Sequence, residues 1–312
     1  MTDSGESRLE ATSASNRDAS SAGDVALKAI VNHAAERFAA VGIDSALADA
    51  ELLAGHILGL SRGGVQAQIL IGATLTSAEA EELANLYGRR LAREPLQHIT
   101  GLAPFRQLEL EVGKGVFIPR PETEFVAQLA IDAIRRVVES GVTQPVAVDL
   151  GTGSGAIALA MATENPAAKV FAVEKSTEAY PFTQANFNKY SSVCDATLIL
   201  GDLADAFAEL DGSVSVVASN PPYIPIAAIP RDEEVRLHDP ALALYGGEDG
   251  MSVIHLVSAT AKRLLVSSGA LIIEHADSQS EQVRQLLLAD GWREVRAHQD
   301  LTGRDRAVTA IK

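Results

Sequence analysis

The chain has 312 residues, 47% of them hydrophobic, and a formal net charge of -15 from 26 Lys+Arg against 41 Asp+Glu. That length and apolar content suffice for a large core and two domains, while the acidic balance argues against a protein that tracks a nucleic-acid backbone, which needs a basic face. A single cysteine, Cys194, excludes an intramolecular disulfide and a cysteine-based zinc site, and reads as a buried thiol at a helix end. No apolar run reaches transmembrane length, and the N-terminus lacks the basic-then-apolar order of a signal peptide, so a cytoplasmic protein is expected.

Residues 1–22 are rich in Ser, Ala, Thr, Asp and Glu with almost no large apolar side chains, the composition of a disordered tail. Residues 23–94 read as all-helical. Leu83, Leu86, Tyr87, Arg90 and Leu91 recur at helical spacing, and Thr76 with Glu79 fits a capping box ahead of them. Leu53, Ile57 and Leu60 form another apolar face, and Gly42, Gly59, Gly63-Gly64 and Gly72 cut the segment into short helices. His33 and His56 read as solvated or core histidines rather than metal ligands. Two readings stay open for this segment: a packing domain, or a platform that docks a macromolecular substrate.

Residues 95–118 change character. Leu108, Leu110 and Val112 alternate with Gln107, Glu109 and Glu111, and Gly113 and Gly115 mark a turn before Val116-Phe117-Ile118, which predicts a β-hairpin joining two domains. Pro119-Arg120-Pro121-Glu122-Thr123-Glu124 then opens a helix to about Ser140, with proline and acidic residues suited to a helix N-terminus. From Val146 onward strands and helices alternate, the pattern of an α/β sheet. Strands are expected at Val146–Leu150, Lys169–Val173, Thr197–Leu200, Val214–Ser219, Ala270–Ile273, Glu294–Ala297 and Ala307–Ile311, with helices over 154–164, 177–189, 251–266 and 278–289. Ile224–Gly250 has little periodicity and reads as a loop over a site.

Two stretches carry chemistry. Asp149-Leu150-Gly151-Thr152-Gly153-Ser154-Gly155 follows the first strand, where glycines let a ligand lie against bare backbone. Glu174 ends the next strand, where an acid can accept hydrogen bonds from ribose hydroxyls. This much also fits a dinucleotide fingerprint, Gly151-x-Gly153-x-x-Ala156, so NAD is a rival. The rivals part at Asn220-Pro221-Pro222-Tyr223, which closes the fourth strand. The prolines stiffen the turn and lack N–H donors, leaving carbonyls free to accept. Asn220 adds an amide and Tyr223 an aromatic ring, a set that grips a planar amide or amino group. Hydride transfer has no need of such a grip. Methyl transfer to a planar nitrogen does, and the two motifs in this order point to an S-adenosylmethionine-dependent methyltransferase.

From about Glu94 to its end the chain resembles the peptide chain release factor N(5)-glutamine methyltransferases (PrmC/HemK). The resemblance is carried by Ile118 to Glu124, Asp149 to Gly155, Asn220 to Tyr223, and Gly250-Met251 at a later helix start. It implies a class I, Rossmann-like seven-stranded methyltransferase fold with a helical N-terminal docking domain (23–94), a hairpin linker (95–118) and a catalytic domain (119–312). The implied reaction is methylation of the glutamine side-chain amide in the GGQ motif of class I release factors, with S-adenosyl-L-methionine as donor, no direct nucleic-acid or membrane partner, and a monomeric enzyme. By position, Gly151, Thr152, Gly153, Ser154 and Gly155 would line the methionine part of the cofactor, Glu174 the ribose, and Asp202-Leu203 the adenine. Asn220, Pro221, Pro222 and Tyr223 would hold the acceptor, with Asn220, Pro221 and Tyr223 as the catalytic group and Asn220 also beside the cofactor. Glu174 stands where Asp is common, and Leu203 where some members carry an aromatic, which leaves room for an apolar contact. An adenine-N(6) nucleic-acid methyltransferase is the alternative, since that exocyclic amine suits the same tetrapeptide. No strong general base stands out; His275, after Glu274 at a strand end, reads as structural before catalytic.

Overall fold

A computed structural model describes residues 25–230 and 232–312; the expected tail, 1–22, lies outside them. The chain divides into two compact units between Leu91 and Ala92.

The first unit contains β1 (Val25–Ala26), α1 (Leu27–Ala40), α2 (Ala46–Leu58), α3 (Arg62–Leu70), β2 (Thr74–Leu75) and α4 (Ser77–Leu91). The expectation of an all-helical segment misses only the two-residue antiparallel pairing of β1 with β2. The capping box forms: the Thr76 N–H donates to Glu79 Oε2 at 2.8 Å and the Glu79 N–H to Thr76 Oγ1 at 3.3 Å. Leu83, Leu86 and Tyr87 of α4 are buried, as are Val31 and Phe38 of α1 and Leu53 of α2, with Phe38 and Tyr87 edge to face at 5.5 Å. Arg90 continues that stripe and is buried, its Nε 2.8 Å from Asp49 Oδ2, so the charge sits in the core only because a carboxylate accompanies it. His33 and His56 are exposed.

The second unit opens with α5 (Leu96–Thr100) and a hairpin of β3 (Leu102–Phe105) and β4 (Leu108–Glu111). The hairpin exists, but its partner strand precedes Leu108 rather than following Gly115, and Val116–Ile118 is not strand. Its two-residue turn carries Arg106 at φ 53°. That conformation, unusual for a side-chain-bearing residue, is held by a paired guanidinium: Nε and Nη2 reach Glu164 at 2.5 and 2.8 Å, and the backbone N–H reaches Glu124 at 2.9 Å. No local glycine announces such a turn, because the stabilising partners are distant in sequence. Phe105, Leu108 and Leu110 bury in the main core.

The sheet elements follow: α6 (Thr123–Glu139), β5 (Val146–Leu150), α7 (Ala156–Glu164), β6 (Lys169–Glu174), α8 (Tyr180–Tyr190), β7 (Asp195–Leu200), β8 (Val214–Ser219), α9 (Glu233–His238), α10 (Ala241–Leu244), α11 (Ser252–Leu264), β9 (Leu265–Glu274), α12 (Ser280–Ala289), β10 (Arg293–Gln299) and β11 (Asp305–Ile311). The seven strands run in the order β10-β11-β9-β8-β5-β6-β7. All neighbours are parallel except β11, which is antiparallel to β9 and β10.

Strand alternation decides the two layers. Ala147, Val216, Ala218 and Ile272 face the core shared with α6 and α7, whereas Val148, Leu150, Val217, Leu271 and Ile273 face α11 and α12. α6 presents Val126, Ala127, Ala130, Ile131 and Ile134 at helical spacing, all fully buried. Each such isoleucine contributes about 2 kcal/mol by leaving water. α7 is alanine-rich and buried nearly all round, which lets sheet, hairpin and α6 close on it. Cys194 is half-buried just beyond α8, its thiol donating weakly to the Tyr190 carbonyl. Among the described residues no helix is long and apolar enough to cross a membrane.

Candidate active site

β5 and β8 are adjacent and parallel, with Asp149 opposite Ala218, so the glycine loop after β5 and the Asn-Pro-Pro-Tyr turn after β8 emerge on the same sheet edge. A hydrogen bond ties the two strand ends: the Ser219 hydroxyl donates to the Leu150 carbonyl at 2.6 Å. Both loops line one cavity, with Gly151, Thr152, Gly153 and Ser154 from the first and Asn220, Pro222 and Tyr223 from the second. Glu174, Asp202 and Leu203 line it from the ends of β6 and β7. Gly155 and Pro221 do not reach its surface. Gly155 sits at φ 89° behind the loop, where a Cβ would come within 2.9 Å of the Phe187 ring.

The glycine loop is held from outside. Asp149 is fully buried, and its Oδ2 accepts the Thr152 hydroxyl at 2.6 Å and the Ala158 N–H at 3.1 Å, while Oδ1 has no partner. Burial pushes this carboxyl up to about 7. Glu174 accepts the Gly153 N–H on Oε2 at 2.8 Å and the Ser176 N–H on Oε1 at 2.7 Å, and burial raises it as well. Two residues of α8 that the sequence pattern does not single out complete the clamp. The Thr183 hydroxyl donates to the Gly153 carbonyl at 2.6 Å, and the Asn186 amide donates to the Ser154 carbonyl at 2.9 Å and the Glu111 carbonyl at 3.0 Å. Both side chains are completely buried. Their one local signal is a polar pair spaced i, i+3 beside Phe187.

Asp202 is already engaged, with Oδ2 2.8 Å from Lys175 Nζ and Oδ1 accepting the Ala204 N–H at 3.0 Å; these bonds hold its carboxyl below the usual range. Leu203 is half-buried against the core on the α11 side and reaches the cavity.

Around the second loop, glycines permit close backbone contact. A Cβ at Gly246 would lie 2.4 Å from the Pro222 carbonyl oxygen, and one at Gly250 would lie 2.2 Å from that of Tyr223. The Tyr223 carbonyl also accepts the Gln279 amide at 3.0 Å. Burial raises the Tyr223 phenol well above its ordinary range, so it stays protonated. Asn220 Nδ2 donates to the Thr123 hydroxyl at 3.3 Å.

The stretch expected as a bare loop, Ile224–Gly250, instead holds α9 and α10. The Ile224 N–H donates to the Leu244 carbonyl and the Gly246 N–H to that of Ile224, so Leu242 to Tyr245 form a wall of the cavity. Arg120 anchors that wall through Asp239, with Nη2 to Oδ2 at 2.5 Å. The proline-flanked motif therefore does more than start a helix: Arg120 reaches the wall, Thr123 lines the cavity and Glu124 supports the hairpin turn. Pro119 of that motif also lines the cavity, as do Phe117, Lys175 and Leu256, which nothing in their local sequence marks for it. His275 does not line it. It is fully buried, its Nδ1 pairs with the Ala276 carbonyl at 2.8 Å, and burial lowers its pKa, so the ring is neutral. Among the described residues no cluster of His, Cys, Asp and Glu could hold a metal ion.

Residues 29–101 match the model of the PrmC N-terminal domain, and residues 126–230 that of the methyltransferase small domain. A release factor glutamine methyltransferase of Streptomyces coelicolor is 46% identical over 92% of this chain and 98% of its own length. The chain belongs to the release factor glutamine methyltransferase family. It is accordingly an S-adenosyl-L-methionine-dependent methyltransferase with a Rossmann-like sheet. A 4-amino-L-phenylalanine/4-methylamino-L-phenylalanine methyltransferase of Streptomyces pristinaespiralis is also similar, at 36% identity over 88% of this chain and 90% of that protein. Among solved structures, a methyltransferase from Pyrococcus furiosus superposes with a TM-score of 0.48 at 17% identity, covering 74% of this chain and 98% of that one.

The cavity suits the family's cofactor. That molecule carries cationic groups, and the wall offers two buried carboxyls, one with an unpartnered oxygen. It must also lie against backbone: a Cβ at Gly151 or Gly153 would meet no atom within 4 Å, so both glycines face open space.

Proposed function

We propose that this chain methylates the side-chain amide nitrogen of the glutamine in the GGQ motif of class I peptide chain release factors. The observation that carries the reading is the single cavity shared by the glycine loop and the Asn-Pro-Pro-Tyr turn. When bound there, S-adenosyl-L-methionine supplies a methyl group already activated by its sulfonium. Gly151, Thr152, Gly153 and Ser154 would cradle its methionine part, with Gly155 behind them, Glu174 would accept from the ribose hydroxyls, and Asp202 and Leu203 would meet the adenine.

A glutamine amide is a poor nucleophile because its nitrogen lone pair is delocalised. Asn220 Oδ1 would accept one amide N–H; the Pro221 carbonyl, expected to take the other, does not reach the cavity surface. The Asn220 acceptor would orient the amide, favour the build-up of positive charge on nitrogen and help aim its lone pair at the donor, so positioning and preorganised electrostatics supply most of the rate. The phenol of Tyr223, kept protonated by burial, packs beside the acceptor as a neutral wall. The proton leaves nitrogen after methyl transfer, which removes the need for a base that must first ionise an amide. The helical unit before Ala92 would dock the release factor, a role supported by the match to the PrmC N-terminal domain. One chain supplies both loops and the wall of the cavity, which supports a monomer as the acting unit, working in the cytoplasm alongside its translation-factor substrate.

The test is peptide mass spectrometry after incubating the protein with isotopically methyl-labelled cofactor and either an intact class I release factor or duplex DNA. One methyl group on the GGQ glutamine is expected. Label on adenine, or on no glutamine, overturns the assignment. The Asn220→Ala variant is expected to lose on the order of 100-fold in turnover while keeping cofactor affinity, by analogy with loss of one preorganised hydrogen-bonding group.

A further inference from the structure

The glycine loop spends nearly all of its N–H groups inside the protein. Those of Gly151 and Thr152 both donate to the Val173 carbonyl, at 3.1 and 3.0 Å, that of Gly153 to Glu174 at 2.8 Å, and that of Gly155 to the Thr152 carbonyl at 2.9 Å. Among the described residues the Ser154 N–H has no partner, although Ser154 is only 3% exposed and lines the cavity. A buried backbone donor left open is uncommon and calls for a ligand. The cavity also has an anion to meet. The cofactor's methionine part carries a carboxylate, while the wall is acidic, with Asp149, Glu174 and Asp202. Among the described lining residues the one Lys or Arg is Lys175, whose Nζ is 2.8 Å from Asp202 Oδ2.

We propose that Thr183 is a positioning residue that aims the Ser154 N–H at the cofactor's carboxylate. The inference rests on the reading of the glycine loop as the cradle of the methionine part. In a trans peptide the C=O and the following N–H point in opposite directions. The Thr183 hydroxyl, on α8 and outside the cavity lining, donates to the Gly153 carbonyl at 2.6 Å. Turning that carbonyl toward α8 turns the Ser154 N–H away from it, to the open side of the loop, where a Cβ on Gly153 would meet no atom within 4 Å. The hydroxyl has one proton, and the Ala179 carbonyl at 3.1 Å is its other acceptor in reach; the shorter contact takes the proton, and Ala179 already receives the Thr183 N–H. Asn186 pins the far side of the same residue, its Nδ2 donating to the Ser154 carbonyl at 2.9 Å. That amide cannot flip, because its Oδ1 accepts the Glu111 N–H at 2.6 Å and its Nδ2 also donates to the Glu111 carbonyl at 3.0 Å. With the peptides on both sides of Ser154 held, the donor is in place before a ligand arrives, and the binding step has less ordering left to do. Without the Thr183 hydroxyl, the peptide between Gly153 and Ser154 is free to turn and present a carbonyl to an anion.

Calorimetry with S-adenosyl-L-methionine and with its decarboxylated analogue, which differs only in the carboxylate, reads the contact directly. The wild-type protein should bind the first at least about tenfold more tightly, the scale of a hydrogen bond to a charged group. Thr183→Val keeps the shape and removes the hydroxyl. It should lose about tenfold in affinity for S-adenosyl-L-methionine and stay within about twofold for the analogue, so that the preference collapses. Thr183→Ser should restore the preference, and Thr183→Ala answers the same question should the valine variant not fold. A general loosening of the loop weakens both ligands alike. Equal losses for the two ligands therefore overturn the proposal, as does an undiminished preference in the valine or alanine variant, or a wild-type protein that does not distinguish the ligands. Gly153→Ala separates this role from the reading beneath it. Wild-type affinity for both ligands in Gly153→Ala removes the glycine loop from the cofactor, whereas weakened binding there beside an unaffected Thr183→Val removes only the role of Thr183.

Discussion

Replacing Asp149 by Asn should strengthen the ligand-free fold and weaken the cofactor site, with both effects growing as pH rises. The carboxyl is fully buried and titrates at about 7, against an ordinary value of 3.8. The folded protein therefore prefers it protonated. Below 3.8 the group is neutral in folded and unfolded chains alike and costs nothing. Between 3.8 and about 7 the unfolded chain ionises and the folded one resists, so stability is lost progressively, and above 7 the loss is complete. The gap between those two values corresponds to on the order of 4 kcal/mol at pH 8. Asn carries no such penalty, and its oxygen can still accept from Thr152 and Ala158. Its NH2 group then occupies the position of the unpartnered Oδ1, leaving a buried donor unmet at a cost of about 1–3 kcal/mol. The charge effect is the larger, so the ligand-free variant should gain about 1–3 kcal/mol at pH 8, shrinking to a loss near pH 4. Cationic groups of the cofactor favour the ionised carboxylate, so wild-type affinity should climb from about pH 5.5 and level off above about 7, while the variant binds weakly at every pH. Thermal unfolding at pH 5, 6.5 and 8, paired with calorimetry of the cofactor, reads both sides. A variant equally destabilised at all three pH values, or wild-type affinity that is flat with pH, refutes the reasoning.

Glu174→Ala strands the Gly153 and Ser176 N–H groups and removes the proposed ribose acceptor; calorimetry should show cofactor affinity at least about tenfold weaker, and unchanged affinity would remove Glu174 from the site. Gly250→Ala places a Cβ 2.2 Å from the Tyr223 carbonyl at φ +77°, so activity and melting temperature should fall together. Gly153→Ala, at φ +57° with no atom within 4 Å of the new Cβ, should instead cost about 1 kcal/mol of stability and act chiefly on cofactor affinity, a contrast that melting curves and binding isotherms separate. Arg120→Leu leaves Asp239, already raised by burial, without its cation. The cavity wall it anchors should loosen, seen as a higher KM for the release factor with kcat less affected.

Much of the second unit is legible because a strand buried on both faces writes an apolar run, and each such run here ends in turn residues. All seven strands, from Val146–Leu150 to Asp305–Ile311, stand within a few residues of where the pattern puts them. The largest departure is the start of β9, which begins at Leu265 rather than Ala270. Ser267 and Ser268 there are exposed, so the apolar pattern fades while the strand continues. The hairpin turn at Arg106 leaves no local trace because its conformation is held by Glu164 and Glu124. Ile224–Gly250 reads as structureless because its two short helices are fixed by backbone bonds to Ile224 and by Arg120, partners that lie outside each helix's own pattern. The same holds in the site. Gly151 to Gly155, Glu174 and Asn220 to Tyr223 announce themselves by residue type and spacing, whereas Thr183 and Asn186 look like ordinary polar positions until α8 is laid against the glycine loop.

What the sequence determined by itself is the set of local instructions: which runs form the main sheet, roughly where its longer helices start, and which loops carry glycine, acid or proline at a strand's end. These are written in short-range patterns because backbone sterics and alternating burial act over a few residues. What only the tertiary structure decided is adjacency. The placing of β5 beside β8, the clamp from α8, and the bond from Asn220 to Thr123 join residues far apart in the chain. Such contacts are chosen by the packing of whole layers and by the need to pair every buried polar group, and neither is visible until the chain has folded.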